Sequence, residues 1–220
     1  MIGINWILLF EAYSYTSVSV ATLCYYMQPT IVTLLSPLFF QERLTGKKAF
    51  CALAAVAGMV LVSGVIGAGT GGGTDIRGIL LGLSAAAFYA GVIIMNKRTG
   101  ETDPYRRTIV QLLSAGLVMV PYLLTTGQFA VGSVDRTSLL LLIAVGVLHT
   151  GIAYLLYFRG MSGMRVQSVA MLSYIDPVSA LLFSAALLGE KLEAIQLLGA
   201  GLIIGSAMIS ELHSKSESAE

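Results

Sequence analysis

Seven runs of this chain are each apolar over roughly the 20 residues that ~30 Å of hydrocarbon requires of a helix. They cover 18–41, 48–67, 77–96, 105–126, 138–158, 166–189 and 194–211. An eighth stretch, 4–16, is shorter and starts almost at Met1, so it reads as the back half of a helix. Only 11% of the 220 residues are charged and the mean hydropathy is +0.82, against about 25% charged in a soluble domain. The expectation is an all-α membrane protein with eight transmembrane segments. The first stretch has no Lys or Arg ahead of it, carries Glu11 and lacks a small-residue cleavage site, so it is not a cleaved signal sequence. The tail 212–220 is polar and expected to fray into solvent.

The basic residues orient these segments. Alternate loops hold Arg43, Lys47 and Lys48, then Lys97, Arg98, Arg106 and Arg107, then Arg159 and Arg165, with Lys215 in the tail. Those ten face Arg77, Arg136 and Lys191 on the other side. By the positive-inside rule the ten are cytoplasmic, which puts the C-terminus inside a multi-pass protein of the cell membrane. A net charge of +1 with no basic run gives nothing for nucleic acid to bind. Cys24 and Cys51 both lie in apolar runs and read as core residues, neither disulfide nor metal ligands. No cofactor motif is present.

An internal repeat organises the segments. SVATLCYYMQPTIVTLLSPLFFQERL aligns with QSVAMLSYIDPVSALLFSAALLGEKL at an offset that puts Pro29 on Pro177, Tyr26 on Tyr174, Ser36 on Ser184 and Glu42 on Glu190. Five helices separate the copies, an odd number, so the copies cross in opposite directions, as in inverted-topology transporters. The same offset places a partner for the helix at 77–96 about 70 residues ahead of Met1. The first repeat thus shows two and a half helices and the second shows five.

Several motifs in order now resemble the drug/metabolite transporter superfamily, EamA type. They are Tyr15-Thr16-Ser17, Pro29 in the following helix, Gln41-Glu42-Arg43-Leu44 and Gly58 in AGMVLVSG. GILLGLSAAAFYAGVIIMNKR, GVLHTGIAYLLYF, SYIDPVSALLFSAALLGEKL and GAGLIIGS continue the series. The resemblance implies two five-helix repeats, with 1–68 the partial first, 76–211 the complete second and 212–220 a cytoplasmic tail. It implies that the first two helices and part of the third are absent. The implied function is secondary export of a small metabolite or drug-like compound by alternating access, against protons as one option. A different reading is a non-transporting membrane fragment, from a mis-assigned start or a decayed gene. A homodimer that restores the absent helices is a third.

Asp176 is the most informative polar residue. It lies ten residues into its run, about 15 Å deep at ~1.5 Å per residue, where a carboxylate costs about 2.5–3.5 kcal/mol on insertion scales. It reads either as a proton or cationic-substrate site or as an acid satisfied by a neighbouring helix. Its repeat partner is Gln28, which keeps the polarity without the charge. Pro29 and Pro177 sit beside these residues and free the carbonyls of Tyr25 and Ser173, giving a hinge or a packed kink. His149 is a relay partner for Asp176 or an interhelical hydrogen-bond donor. Trp6, Tyr26, Tyr89, Gln111, Tyr154 and Tyr174 are candidates to line a substrate cavity, tyrosine anchors at the interface being the alternative. Glu11, near an outer helix end, is expected to be solvated. Glu42 and Glu190 are expected to anchor the turns that follow them. Gly78-x-x-x-Gly82 and Gly201-x-x-x-Gly205 are expected as close-packing faces.

Three motifs carry no chemistry. GAGTGG at 67–72 has the spacing of a dinucleotide loop but follows a membrane helix, not a strand, and reads as an external loop. Ser162 in Gly-Met-Ser-Gly lacks a histidine aimed at it within the membrane. Asp176 is the only deep aspartate, where an aspartyl protease needs two. No enzyme reading survives.

Overall fold

A segment in lipid must satisfy every backbone polar group internally, and helices do so without an edge. The computed structural model of the chain describes residues 1–42, 44–63, 75–99, 103–127, 135–188 and 193–216, and these are built from helices. Helix α1 is Ile2–Tyr15, α2 Val18–Tyr25, α3 Gln28–Phe40, α4 Gly46–Val62, α5 Ile76–Arg98 and α6 Pro104–Thr125. They are followed by α7 at Arg136–Ala144, a π-helical segment at Val145–Ile152 and α8 at Ala153–Gly160. Helices α9 (Val166–Ser173), α10 (Ile175–Leu188) and α11 (Ala194–Ser216) complete the described chain.

Three of the long apolar runs are continuous spans but not single helices. The first breaks at Tyr26–Met27, where the Met27 amide bonds the Cys24 carbonyl at 3.2 Å in a tightened turn. Pro29, three residues on, has no N–H to return to the Tyr25 carbonyl, so the α-helical ladder restarts at Gln28. The second breaks at Tyr174, whose amide bonds Met171 at 3.2 Å, again three residues before a proline. The third carries the π segment, whose wider turns rotate every residue after it relative to an α-helical count.

Among the described residues five spans are long and apolar enough to cross a membrane: Val20–Phe40, Ile76–Arg98, Pro104–Thr125, Arg136–Gly160 and Val166–Leu187. The other three expected segments are shorter among the described residues. Helix α1 has 14 residues, α4 has 17 and the apolar stretch of α11 runs Ala194–Ser210.

The kinked spans α2–α3 and α9–α10 lie side by side and antiparallel. Tyr26 meets Asp176, Thr30 meets Tyr174, Ser36 meets Gln167 and Glu42 meets Val166, so position rises on one span as it falls on the other. Antiparallel crossing is what an inverted repeat demands.

Helix α4 runs along α11, and two glycines set their spacing. A Cβ on Gly58 would stand 2.7 Å from the Gly199 carbonyl oxygen, and one on Gly199 2.6 Å from the Gly58 oxygen. The expectation for Gly201 and Gly205 is corrected here: a Cβ on either meets nothing within 4 Å, because that face of α11 turns away from α4. Gly78 and Gly82 do sit in close contacts, against Thr16 and against Cys24 and Ala21.

One core gathers around Val32, Ile93, Phe158 and Val166, another around Ala55, Met171, Tyr174 and Ile203. The span Arg136–Gly160 is peripheral, with no buried residue from Arg136 to Ile152. Its Leu139–Val147 face presents side chains that suit lipid rather than water.

Candidate functional site: a cavity between the two kinked spans

Where α2–α3 and α9–α10 break, their half-helices cannot pack continuously, and a cavity of about 670 Å³ opens beside the breaks. Helix α2, the break and helix α3 contribute Tyr25, Tyr26 and Gln28, and α5 contributes Tyr89. The π segment and α8 add His149, Ala153, Tyr154 and Tyr157. Leu172, Ser173, Ile175 and Asp176 close the wall from the second break. This size lies in the range that encloses small organic ligands.

Asp176 falls in the middle of its span and is tied across the repeats: the Tyr26 hydroxyl donates to its Oδ2 at 2.7 Å. Its Oδ1 has no partner among the described residues. Tyr174, the repeat mate of Tyr26, also reaches across, sharing a 2.5 Å hydrogen bond with Thr30. The two tyrosines therefore play the same bridging role, and the repeat differs in which one meets a carboxylate. Gln28 is buried, and its Oε1 is unpartnered among the described residues. The aromatic wall is continuous: Tyr25 lies 5.8 Å from Tyr89 and 6.2 Å from Tyr26, between ring centroids. Trp6 meets Tyr154 edge-on at 6.1 Å. Tyr157 shares a 3.2 Å hydrogen bond with Ser173.

The structure thus brings Tyr26, Gln28, Tyr89, His149, Tyr154 and Asp176 to one cavity, with Trp6 directly behind Tyr154. Pro29 and Pro177 are both buried one residue beyond the polar pair. Two candidates lie elsewhere. Gln111 donates to Asn96 Oδ1 at 3.0 Å and lines a separate pocket of about 190 Å³ between α1, α5 and α6. Tyr174 is fully buried in the second core, because the break at its own position turns its ring toward α4 and α11. His149 lines the cavity without bonding Asp176, whose bonded partner is Tyr26. Sequence reasoning missed Tyr25 and Tyr157 as lining residues. Tyr157 lies one turn from Tyr154, a spacing that could have found it.

A second cluster closes one end of the bundle. The Glu42 carboxylate accepts from the Val166 amide at 2.8 Å and the Gln167 amide at 3.2 Å. Glu42 therefore caps α9 of the other repeat rather than its own following turn, because an anion suits the exposed amides and dipole of a helix N-terminus. Glu190 lies outside the described residues, as does the 67–72 loop. Lys97 donates to the carbonyls of Met161, at 3.0 Å, and Met164. Arg107 donates to the Asn96 and Thr99 carbonyls at 2.8 and 3.1 Å, and Arg159 to the Tyr105 hydroxyl. At the opposite end the Tyr122 hydroxyl donates to Glu11, so that acid is held by α6 rather than left to solvent.

The comparisons with known proteins agree with this architecture. Residues 1–64 and 76–211 match the model of the EamA-like transporter family. The chain is 26% identical over 94% of its length to the uncharacterized transporter YxxF of Bacillus subtilis, of which it spans 65%. It is 30% identical over 66% of its length to the threonine/homoserine exporter RhtA of Escherichia coli K12, of which it spans 48%. A solved crystal structure superposes with a TM-score of 0.83 at 23% identity, covering 98% of this chain and 76% of that one, which shows the shared fold. With its helical spans, its antiparallel kinked pair and a family match over both blocks, this multi-pass membrane protein belongs to the EamA-like transporter family.

Proposed function

We propose that the chain carries small organic molecules across the membrane by alternating access, in the outward direction. The observation that carries the reading is the cavity beside two broken, antiparallel spans, one from each repeat, with the breaks part-way along spans long enough to cross a membrane. Irregular backbone is tolerated within a membrane only where protein or a polar cavity satisfies it, and inverted-repeat transporters place their sites at such breaks. The family supports transport, and the exporter name of one relative supports the direction.

In the mechanism, substrate enters the cavity from one side while the other end is held shut. The clasp of Glu42 on α9 and of Lys97 on the 161–164 turn is the shut end here. By the positive-inside rule this basic end is cytoplasmic, as is the C-terminus. Rocking of the two repeats about the breaks would part the clasp and close the other end. Asp176 supplies the ionisable group: protonation of its carboxylate would weaken its hold on a bound cation and couple flux to the proton gradient.

The test is flux from proteoliposomes containing the chain, with and without a pH gradient. The reading expects saturable flux that D176N uncouples from the gradient. Flux no greater than in protein-free liposomes would reject transport by this chain. Gradient-driven flux unchanged by D176N would reject the coupling role.

A further inference from the structure

We infer that the cavity selects organic monocations, amines and quaternary ammonium compounds carrying an aromatic or aliphatic body, over zwitterions, anions and neutral compounds. This rests on the cavity being the transport site proposed above.

The wall has one charge and many rings. Tyr25, Tyr26, Tyr89, Tyr154 and Tyr157 present five phenol rings around the Asp176 carboxylate. Among the described residues no lysine or arginine lines the cavity, and none pairs with Asp176. One carboxylate oxygen is held by Tyr26 and the other is open. An anionic group without a counter-ion at mid-membrane depth gains most from a ligand that brings the positive charge with it. The ring faces add to that preference, because the negative quadrupole of a phenol attracts a desolvated cation. An α-amino acid would bring its own carboxylate beside Asp176. Among the described lining residues the donors left to answer it are the uncharged amide of Gln28 and the hydroxyls of the tyrosines and Ser173, together with the exposed imidazole of His149. Like-charge repulsion beside Asp176 therefore works against amino acids and more strongly against simple carboxylates.

The protein contains one tryptophan, and Trp6 lies against Tyr154 of the cavity wall. Its fluorescence, excited at the red edge to exclude tyrosine, reports occupancy. Four probes share one phenylethyl body and differ in charge: phenethylamine, 2-phenylethanol, phenylalanine and 3-phenylpropionate. In the purified chain phenethylamine should change the Trp6 signal saturably, with an apparent Kd at least tenfold below those of the other three. D176N should raise its Kd to that of phenylethanol. Tyr157→Leu, which keeps the charge and removes one ring, should weaken phenethylamine more than phenylethanol. It serves as the test if D176N does not fold. Tighter binding of phenylalanine or phenylpropionate would overturn the inference while leaving the cavity a ligand site. So would phenethylamine binding that neither substitution changes. No saturable signal from any of the four would overturn this inference together with the transport reading.

Discussion

Replacing Gly58 with alanine adds one methyl group where two helix backbones touch. That Cβ would stand 2.7 Å from the Gly199 carbonyl oxygen, 2.9 Å from Ile203 Cγ1 and 3.1 Å from Leu202 Cβ. The nearest atom is backbone, so no rotamer change relieves it. Restoring an ordinary contact of about 3.4 Å requires α4 and α11 to part by about 0.7 Å along their seam. Overpacking of this kind costs about 1–3 kcal/mol. Helix propensity works the other way, since alanine exceeds glycine by about 1 kcal/mol within a helix. The control removes that term: Gly201→Ala and Gly205→Ala carry the same propensity gain on α11, where the added Cβ meets nothing within 4 Å. G58A should therefore fall about 1–3 kcal/mol below G201A in reversible unfolding by dodecyl sulfate titration in mixed micelles. G199A should behave like G58A. The double G58A/G199A should cost less than the sum, because helices parted for one methyl have room for the other. If G201A proved as damaging as G58A, the packing of α4 on α11 described above would be wrong.

Other outcomes follow from single contacts. Glu42→Gln keeps an acceptor but removes the charge that caps α9, and Glu42→Ala removes both. Hydrogen exchange at the Val166 and Gln167 amides should accelerate modestly in the first and by tenfold or more in the second, as charge-assisted bonds worth about 1.5–3 kcal/mol are lost. Asn5 donates to the Ala85 carbonyl at 2.6 Å in a buried contact between α1 and α5, so Asn5→Ala should lower stability by about 0.5–2 kcal/mol in the same micelle titration. Asp135, which accepts from the Thr137 and Ser138 amides at the start of α7, is held below its ordinary carboxylate value of 3.8 by the bonds from Ser138 first and Thr137 after. Its folded form therefore binds a proton less readily than its unfolded form. The cap is fully present above about pH 4 and is lost as pH falls through the lower folded value, so the protection of those two amides relative to their intrinsic exchange rate should fall only in acid. Tyr26→Phe removes the hydrogen bond to Asp176 Oδ2 and should change gradient-driven flux while leaving expression and fold intact.

The spans, their order and the repeat were legible because each has a one-dimensional signature: apolar length, alternating basic loops, and prolines at a fixed offset. Pro29 and Pro177 even located the breaks, since a missing N–H acts at a known distance along the chain. What the sequence hid was direction around each helix. Gly201 and Gly205 have the spacing of a packing face, but spacing does not say which face meets a partner, and the contact belongs to Gly58 and Gly199. Gln111 is polar at depth, yet its partner is Asn96 on the adjacent α5 rather than a substrate cavity. Tyr174 was expected at the cavity, but at the second break its ring turns into the core, while Tyr25, beside the first break, lines the cavity. The π segment at Val145–Ile152 is likewise a local winding that no residue pattern announces. Glu42 was legible as a helix-end acid, but its partners lie 124 and 125 positions away.

Alternating access requires the wall between the two kinked spans to be water-lined and reachable from each side of the membrane in turn. Ala153 lines that wall with no polar side chain to disturb. With Cys24 and Cys51 replaced by alanine, Ala153→Cys in oriented vesicles can be challenged with a membrane-impermeant maleimide from one face at a time. Alternating access predicts labelling from both faces, with the ratio shifted by phenethylamine or by an imposed pH gradient. A thiol that reacts from neither face, while a cysteine in the polar tail reacts normally, would place position 153 in lipid and contradict transport through this cavity.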